Sequence, residues 1–205
     1  MSNRWAGLVA PATGAGSLSV VEETRPVKAS VLRGAQTPQQ GICAPSEDRR
    51  LGRFRSSTAG PFWLGVHGGA GETTLVELLG GFECHHRWPS PAEGAPAPVV
   101  TLVARETYRG LEAARLAARD WAAGRYPQLI LAGLVVVAAA PGKTPRSLRG
   151  QTRVTAGGVP RTWVLPWIED LHLAGRVEDD RLTKEAREVL IAIDEAVTEI
   201  TEGKN

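Results

Sequence analysis

Residues 61–74 read PFWLGVHGGAGETT, and this stretch decides the fold. Residues 61–66 are a short apolar run that ends in glycines, which predicts a strand leading into a turn. From about Thr73, leucines recur on one side of a predicted helix that Gly80 and Gly81 end. Glycines between a strand and a helix N-terminus let backbone amides approach an anion, which the helix dipole also favours. The stretch therefore predicts an anion-binding loop.

Apolar strands alternate with helices along the rest of the chain. Further strands are predicted at residues 99–104, 129–140 and 161–165, and further helices at residues 108–123, 145–155 and 183–201. Residues 82–97 are rich in proline and are predicted to form a loop. Such alternation predicts an α/β domain with a mostly parallel sheet and flanking helices. Trp63, Trp88, Trp163 and Trp167 are expected to pack in its core, and the alternative is an exposed aromatic contact.

Length and composition limit the classes of protein that need to be considered. The 205 residues, 42% of them hydrophobic, suffice for one domain, predicted at residues 61–205, and a tail. Residues 1–60 have no stable apolar period, so we expect a disordered N-terminal arm that carries a basic patch at residues 48–55. The patch would either aid solubility or contact a peptide or nucleic acid.

Charge, cysteine content and hydropathy restrict partners and location. A net charge of +2 is too small to indicate a nucleic-acid binder by itself. Two cysteines cannot form a disulfide framework, so we expect a reducing cytoplasm. The longest apolar run, residues 129–140, covers about half of the ~20 residues that a membrane-spanning helix needs, so no span is expected.

The HGGAGETT segment at residues 67–74 resembles the deviant Walker A motif of the ParA/MinD family of P-loop ATPases, KGGxGKT[ST]. The matching positions are the three glycines, the variable position and the hydroxyl pair: Gly68, Gly69, Gly71, Ala70, Thr73 and Thr74. His67 stands at the signature lysine and Glu72 at the catalytic lysine. The resemblance implies a P-loop NTPase-like fold with residues 68–74 around a nucleotide and Thr73 on Mg²⁺ if nucleotide binds. It extends more faintly over residues 61–175.

Glutamate at the catalytic lysine position changes the expected chemistry. Two unit charges ~4 Å apart interact by about 4 kcal/mol at an effective dielectric constant of ~20, so exchanging attraction for repulsion costs several kcal/mol. Amides and Mg²⁺ would offset part of this cost, so we expect either no cofactor or weakly bound ATP or ADP with Mg²⁺. Phosphoryl transfer depends on positioned cations, so efficient hydrolysis of ATP is not expected without this lysine. Glu106 is the one candidate for an Mg²⁺-supporting acid, and a solvated role for it is the simpler interpretation.

Two other groups of residues are candidates for binding. Residues 142–153 contain four cations and no acid, and the cations are Lys143, Arg146, Arg149 and Arg153. The three arginines share one helical face, which would contact DNA phosphates or an acidic protein or would simply be solvated. Cys84, His85 and His86 lack a partner motif at metal-ligand spacing, so no metal site is predicted there. The last predicted helix packs on the sheet or on a second copy of the chain, which would form a homodimer.

These patterns leave three hypotheses for function. The first is a catalytically degenerate ParA/MinD-like protein that acts as a binding or scaffold module with a protein partner. The resemblance would place such a protein in DNA partition, conjugation or secretion machinery. The second is a genuine ATPase that takes its cation from Lys143 or Arg105. The third is an unrelated α/β interaction protein whose glycine loop is a tight turn that binds no ligand. A structure in which Glu72 blocks the amides of the loop would favour this third hypothesis.

Overall fold

The structure is a computed structural model and describes residues 31–174 and 182–203. The strands are β1 (Leu32–Arg33), β2 (Gly52–Ser56), β3 (Phe62–Gly65), β4 (Phe82–Glu83), β5 (Arg87–Pro91), β6 (Val99–Arg105), β7 (Ile130–Val137) and β8 (Arg161–Leu165). The α-helices are α1 (Glu72–Leu79), α2 (Tyr108–Ala122), α3 (Arg146–Ala156), α4 (Glu169–Ala174) and α5 (Lys184–Thr201). The strands and helices predicted from residue 61 onward are confirmed, with shifts of a few residues at their ends.

The main sheet has the order β1-β8-β7-β6-β3-β4, and every neighbouring pair is parallel except β1 with β8. The predicted α/β fold with a mostly parallel sheet is therefore confirmed. From β3 the chain runs to β4 on one side and then returns to β6 on the other side. In doubly wound sheets, ligands bind outside the carboxyl ends of the strands where the winding reverses in this way. The loop at residues 67–74 follows β3 at this point.

Helices cover both faces of the sheet. On one face Leu111 and Ala114 of α2 are buried with Leu102 of β6 and Leu134 of β7. On the other face Leu75 of α1 and Leu190 of α5 belong to a second buried cluster that contains Trp163. Fully burying a leucine contributes about 1.5–3 kcal/mol, so these two layers fix the position of α1 against the sheet. Three of the tryptophans are in the core as predicted, and Trp167 is half-buried.

The prediction of a disordered arm is wrong for residues 31–60, while residues 1–30 lie outside the described part of the chain. β1 pairs with β8, and β2 forms a two-stranded parallel sheet with β5. Phe54 of β2 packs edge-on against Phe62 of β3, with ring centroids 6.1 Å apart. These segments lack an apolar period of their own and gain order from pairing with strands that are distant in sequence.

The basic patch at residues 48–55 is largely engaged inside the fold. Arg49 pairs with Glu112 at 3.3 Å, and the guanidinium of Arg53 lies 4.6 Å from the ring centroid of Tyr126. Arg50 donates a hydrogen bond to the Pro45 carbonyl at 2.6 Å. The patch therefore holds β2 and its flanks against α2 and the loop that follows it.

The prediction of a loop at residues 82–97 is also wrong in part. β4 and β5 occupy Phe82–Glu83 and Arg87–Pro91. Trp88 in β5 is fully buried and stacks on Tyr126 with ring centroids 4.4 Å apart. Prolines at 89 and 91 are tolerated because β5 is an edge strand of its small sheet. In the described residues, no helix is both long enough and apolar enough to span a bilayer.

Candidate functional site

The loop between β3 and α1 has the backbone conformation of a glycine-dependent turn. Gly69 and Gly71 have φ values of 71° and 105°, in the left-handed region that side chains other than glycine rarely adopt. Gly71 is the N-cap of α1, and no side chain caps the helix. The first amides of a helix have no partner within it, so those of α1 remain available at the loop. The structure therefore contains the glycine loop and the helix N-terminus that the sequence predicts.

Glu72 stands where the motif that this loop resembles has its catalytic lysine. Its side chain turns inward. It is 8% exposed, and its Oε2 accepts a hydrogen bond of 2.6 Å from the backbone N–H of Gly65. A Cβ at Gly65 would lie 2.7 Å from that oxygen, so only glycine leaves room for the carboxylate. The negative charge is held beside the last residue of β3 and not on the N-terminal amides of α1.

A second side chain secures the other polar group of Gly65. His86 Nδ1 is 2.6 Å from the Gly65 carbonyl oxygen. His85 and His86 have φ values of 48° and 59° in a turn closed by a hydrogen bond from Arg87 N to the Cys84 carbonyl, 3.1 Å. Cys84 is buried, and burial, followed by the charge of Glu72, raises the pKa of its thiol. The thiol is therefore held protonated and is a poor nucleophile or ligand.

A cavity of about 150 Å³ opens between the loop, the ends of β7 and β8, and the residues after β8. Gly71 and Thr74 line one side of it. Apolar residues line the other side, namely Val137, Ala138, Leu165, Pro166, Ile168 and Leu171, together with Trp167. It lies at the reversal of the sheet winding, where doubly wound sheets bind ligands. Thr73, predicted to hold Mg²⁺, is exposed and is not among the lining residues.

Arg105 supplies positive charge to this cavity. It is the last residue of β6 and lines the cavity with Gly71 and Thr74. One guanidinium nitrogen, Nη1, donates to the Ala138 carbonyl at 3.0 Å, which fixes the side chain across the ends of β6 and β7. Its backbone N–H donates to His67 Nε2 at 3.1 Å. Of the two cations that the second hypothesis named, Arg105 reaches the site, whereas Lys143 is exposed and does not line it.

His67, at the signature lysine position, connects the loop to β6. Since Nε2 accepts from Arg105 N, its proton is on Nδ1, which lies 2.9 Å from the Gly68 carbonyl and donates to it. A neutral imidazole therefore stands where the motif that this loop resembles has its signature lysine. This contact holds the start of the loop against the end of β6.

The candidate acid Glu106 faces elsewhere. It is buried, accepts a hydrogen bond of 2.7 Å from Thr144 Oγ1, and is not among the residues that line the cavity. None of the described lining residues carries a carboxylate. The cavity thus combines one arginine, one threonine hydroxyl and loop backbone with an apolar wall, a set that suits an anion more than a hydrated Mg²⁺ ion.

The predicted basic surface lies on α3 and the segment before it. Lys143, Arg146, Arg149 and Arg153 are all exposed. Within residues 31–174 and 182–203, no ion pair joins any of the four to an acid. All four cations are therefore exposed, and none of them lines the cavity at Arg105.

The sequence patterns did not find the role of two residues beside the loop. Glu83 was not singled out, and His86, considered only as a metal ligand, bonds to the Gly65 carbonyl; both are in the segment that was expected to be irregular. The signal that would find them is topological, because the carboxyl ends of the neighbouring parallel strands β3 and β4 meet at one edge of the sheet.

Comparison with known proteins adds no family to this description. No protein-family model matches the chain, and neither a curated protein nor a solved structure is similar to it. The ParA/MinD resemblance of residues 67–74 therefore stays a prediction.

Proposed function

We propose that this protein is a catalytically degenerate P-loop-like binding module that holds an anionic group at the loop of residues 67–74 and hydrolyses no nucleotide. One observation carries the proposal. The carboxylate of Glu72 accepts a hydrogen bond from Gly65 N–H, while Arg105 lines the cavity together with Gly71 and Thr74. The carboxylate of Glu72, which would repel an anion, is held by Gly65, and Arg105 supplies a positive charge instead.

Three features favour binding over phosphoryl transfer. Phosphoryl transfer relies on several positioned cations, with Mg²⁺ held by acidic or hydroxyl side chains. Here a single arginine lines the cavity, no carboxylate does so among the described lining residues, and Thr73 is exposed. The chemistry supplied is therefore recognition of negative charge, as in a ligand-dependent scaffold.

The size of the cavity restricts the ligand. Sites that bury a drug-sized molecule usually enclose about 300–1,000 Å³. This cavity, at about 150 Å³, accommodates a phosphate or carboxylate group with a small apolar neighbour against Trp167 and not a whole nucleoside triphosphate. A nucleotide would place only its phosphates here, with the base outside.

Calorimetry with inorganic phosphate, Mg-ADP and Mg-ATP tests the proposal on the wild type and on Arg105→Ala. We expect the wild type to bind at least one of the three without hydrolysing ATP. Arg105→Ala should weaken binding by about 10- to 100-fold, because a hydrogen bond to a charged group contributes about 1.5–3 kcal/mol. Arg109→Ala is the matched control, since Arg109 is exposed on α2 and does not line the cavity.

The other two hypotheses correspond to different results of the same experiment. ATP hydrolysis by the wild type that Arg105→Ala abolishes would identify a genuine ATPase with an atypical cation. Absence of binding for all three ligands would favour an α/β interaction protein whose glycine loop serves packing. In that case Glu72→Lys shows whether the carboxylate prevents binding. Binding by this variant alone would mean that the pocket is intact and that Glu72 keeps ligands out of it.

A further inference from the structure

A cluster of metal-ligating side chains lies beside the loop, where β3 and β4 end. Glu72 begins α1, Glu83 ends β4, and His85 follows in the turn after β4. One carboxylate oxygen from each glutamate and one ring nitrogen of His85 lie within 4.8 Å of one another. Glu72 precedes Glu83 and His85 by more than ten residues and meets them because β4 pairs with β3.

The charges of this cluster are unbalanced. Among the described residues, neither Glu72 nor Glu83 forms an ion pair with a lysine or an arginine, and the one basic neighbour of Glu83 is His85. Glu72 is also 8% exposed. Buried charges in proteins are paired or coordinate a metal ion. Two converging carboxylates and one imidazole therefore create a place for a cation.

The surrounding hydrogen bonds hold the ligands in position. The backbone N–H of Gly65 donates to Oε2 of Glu72 at 2.6 Å. His86 Nδ1 lies 2.6 Å from the carbonyl oxygen of Gly65. Bonds of this kind orient metal ligands and tune their basicity. The side chain of His85 is 69% exposed, which leaves a path by which an ion enters.

The separation of two of the ligands agrees with a tetrahedral ion. Ligand atoms about 2.0–2.1 Å from a tetrahedral Zn²⁺ lie about 3.3 Å from each other. His85 Nδ1 is 3.3 Å from Oε2 of Glu83. An imidazole with two carboxylates suits Zn²⁺ and similar transition metals, whereas Ca²⁺ and Mg²⁺ prefer oxygen ligands alone.

We propose that Glu72, Glu83 and His85 bind Zn²⁺, with a fourth position open to water. The ion joins the first turn of α1 to the turn after β4 and neutralises the carboxylate that Gly65 holds. The proposal is independent of any ligand in the cavity at Arg105. Its test uses metal ions without nucleotide or phosphate, so failure of one proposal is distinguishable from failure of the other.

The experiment titrates Zn²⁺ by calorimetry, and Co²⁺ by its visible absorption, into chelator-treated full-length protein. Cys43→Ser serves as the background because Cys43 is an exposed free thiol that would bind these ions itself. We expect one ion per chain and a higher melting temperature with Zn²⁺. His85→Ala and Glu83→Gln should each weaken binding by at least about tenfold.

Glu93→Gln is the matched control, since it removes one exposed carboxylate outside the cluster and should bind Zn²⁺ as the background protein does. Melting curves without metal show whether each variant is folded. Absence of Zn²⁺ and Co²⁺ binding by the background protein would overturn the proposal. So would binding that is unchanged in both His85→Ala and Glu83→Gln, because the ion would then be held elsewhere.

Discussion

The backbone N–H of Gly65 donates a hydrogen bond to the carboxylate of Glu72, 2.6 Å away, across the loop that joins β3 to α1. In the motif that residues 67–74 resemble, a lysine reaches phosphate, whereas Glu72 bonds to the strand that precedes the loop. This bond joins the end of β3 to the first turn of α1, and Arg105 lines the cavity beside the loop. Four predictions follow from this arrangement and from the packing around it.

Gly65→Ala should destabilise the protein. The new Cβ would lie 2.7 Å from Oε2 of Glu72 and would displace the carboxylate from its hydrogen bond. Since a hydrogen bond to a charged group contributes about 1.5–3 kcal/mol, we expect the free energy of unfolding in urea to fall by about that amount. Gly68→Ala is the control in the same loop, because no atom lies within 4 Å of its added Cβ. Equal losses in both variants would contradict the role of the Gly65–Glu72 bond.

Gly150→Ala should stabilise the protein. Gly150 is in the interior of α3, and no atom lies within 4 Å of an added Cβ there. Alanine in an exposed helix interior is favoured over glycine by about 0.5–1 kcal/mol, since the unfolded chain has less conformational freedom to lose. Thermal melting measures the gain, and an unchanged or lower melting temperature would argue against this placement of α3.

Stability should fall in alkaline solution because of Tyr126. Burial, followed by the hydrogen bond from its hydroxyl to Asp120, raises the pKa of Tyr126 above its ordinary value of 10.0. Its stabilising effect is therefore present below pH ~10 and is lost as the pH rises above ~10, where the unfolded chain releases the proton more easily. Urea unfolding between about pH 8 and 11 measures this dependence.

Tyr126→Phe should make that pH dependence shallower while keeping the ring stack on Trp88. The chain has two tyrosines, and the other, Tyr108, is 66% exposed. Tyr108→Phe therefore serves as the control and should retain the wild-type dependence. A wild-type slope in Tyr126→Phe would refute the assignment to Tyr126.

The exposed arginines of α3 are predicted to bind a polyanion such as duplex DNA. Fluorescence anisotropy at 50–200 mM salt should give a salt dependence whose slope falls by about 0.9 for each lost phosphate contact. We expect the double variant Arg146→Gln/Arg149→Gln to reduce that slope. Arg55→Gln/Arg109→Gln removes the same number of exposed arginines from other surfaces. If both double variants behave alike, or if the wild type does not bind DNA, the α3 surface is a solvated face.

Much of the fold was predictable because its signals are local. The continuous apolar runs of β6 and β7 indicate strands buried on both faces, and the apolar face of α2 indicates a helix packed on a sheet. The strands β1, β2, β4 and β5 were missed. Their order depends on partners far away in sequence, and β4 has only two residues, too few to show any period.

The sequence by itself determined that a glycine loop joins a strand to a helix and that a glutamate, Glu72, stands seven residues after Gly65, where the motif that it resembles has a lysine. Residue types and spacing suffice for this, because backbone conformation near glycines is a local property. Only the tertiary structure decided where the charges lie. Pairing of β3 with β6 brings Arg105 to the cavity, and pairing of β3 with β4 brings Glu83 and His85 to Glu72. Electrostatic interactions act through space, so their partners follow from strand order and not from sequence order.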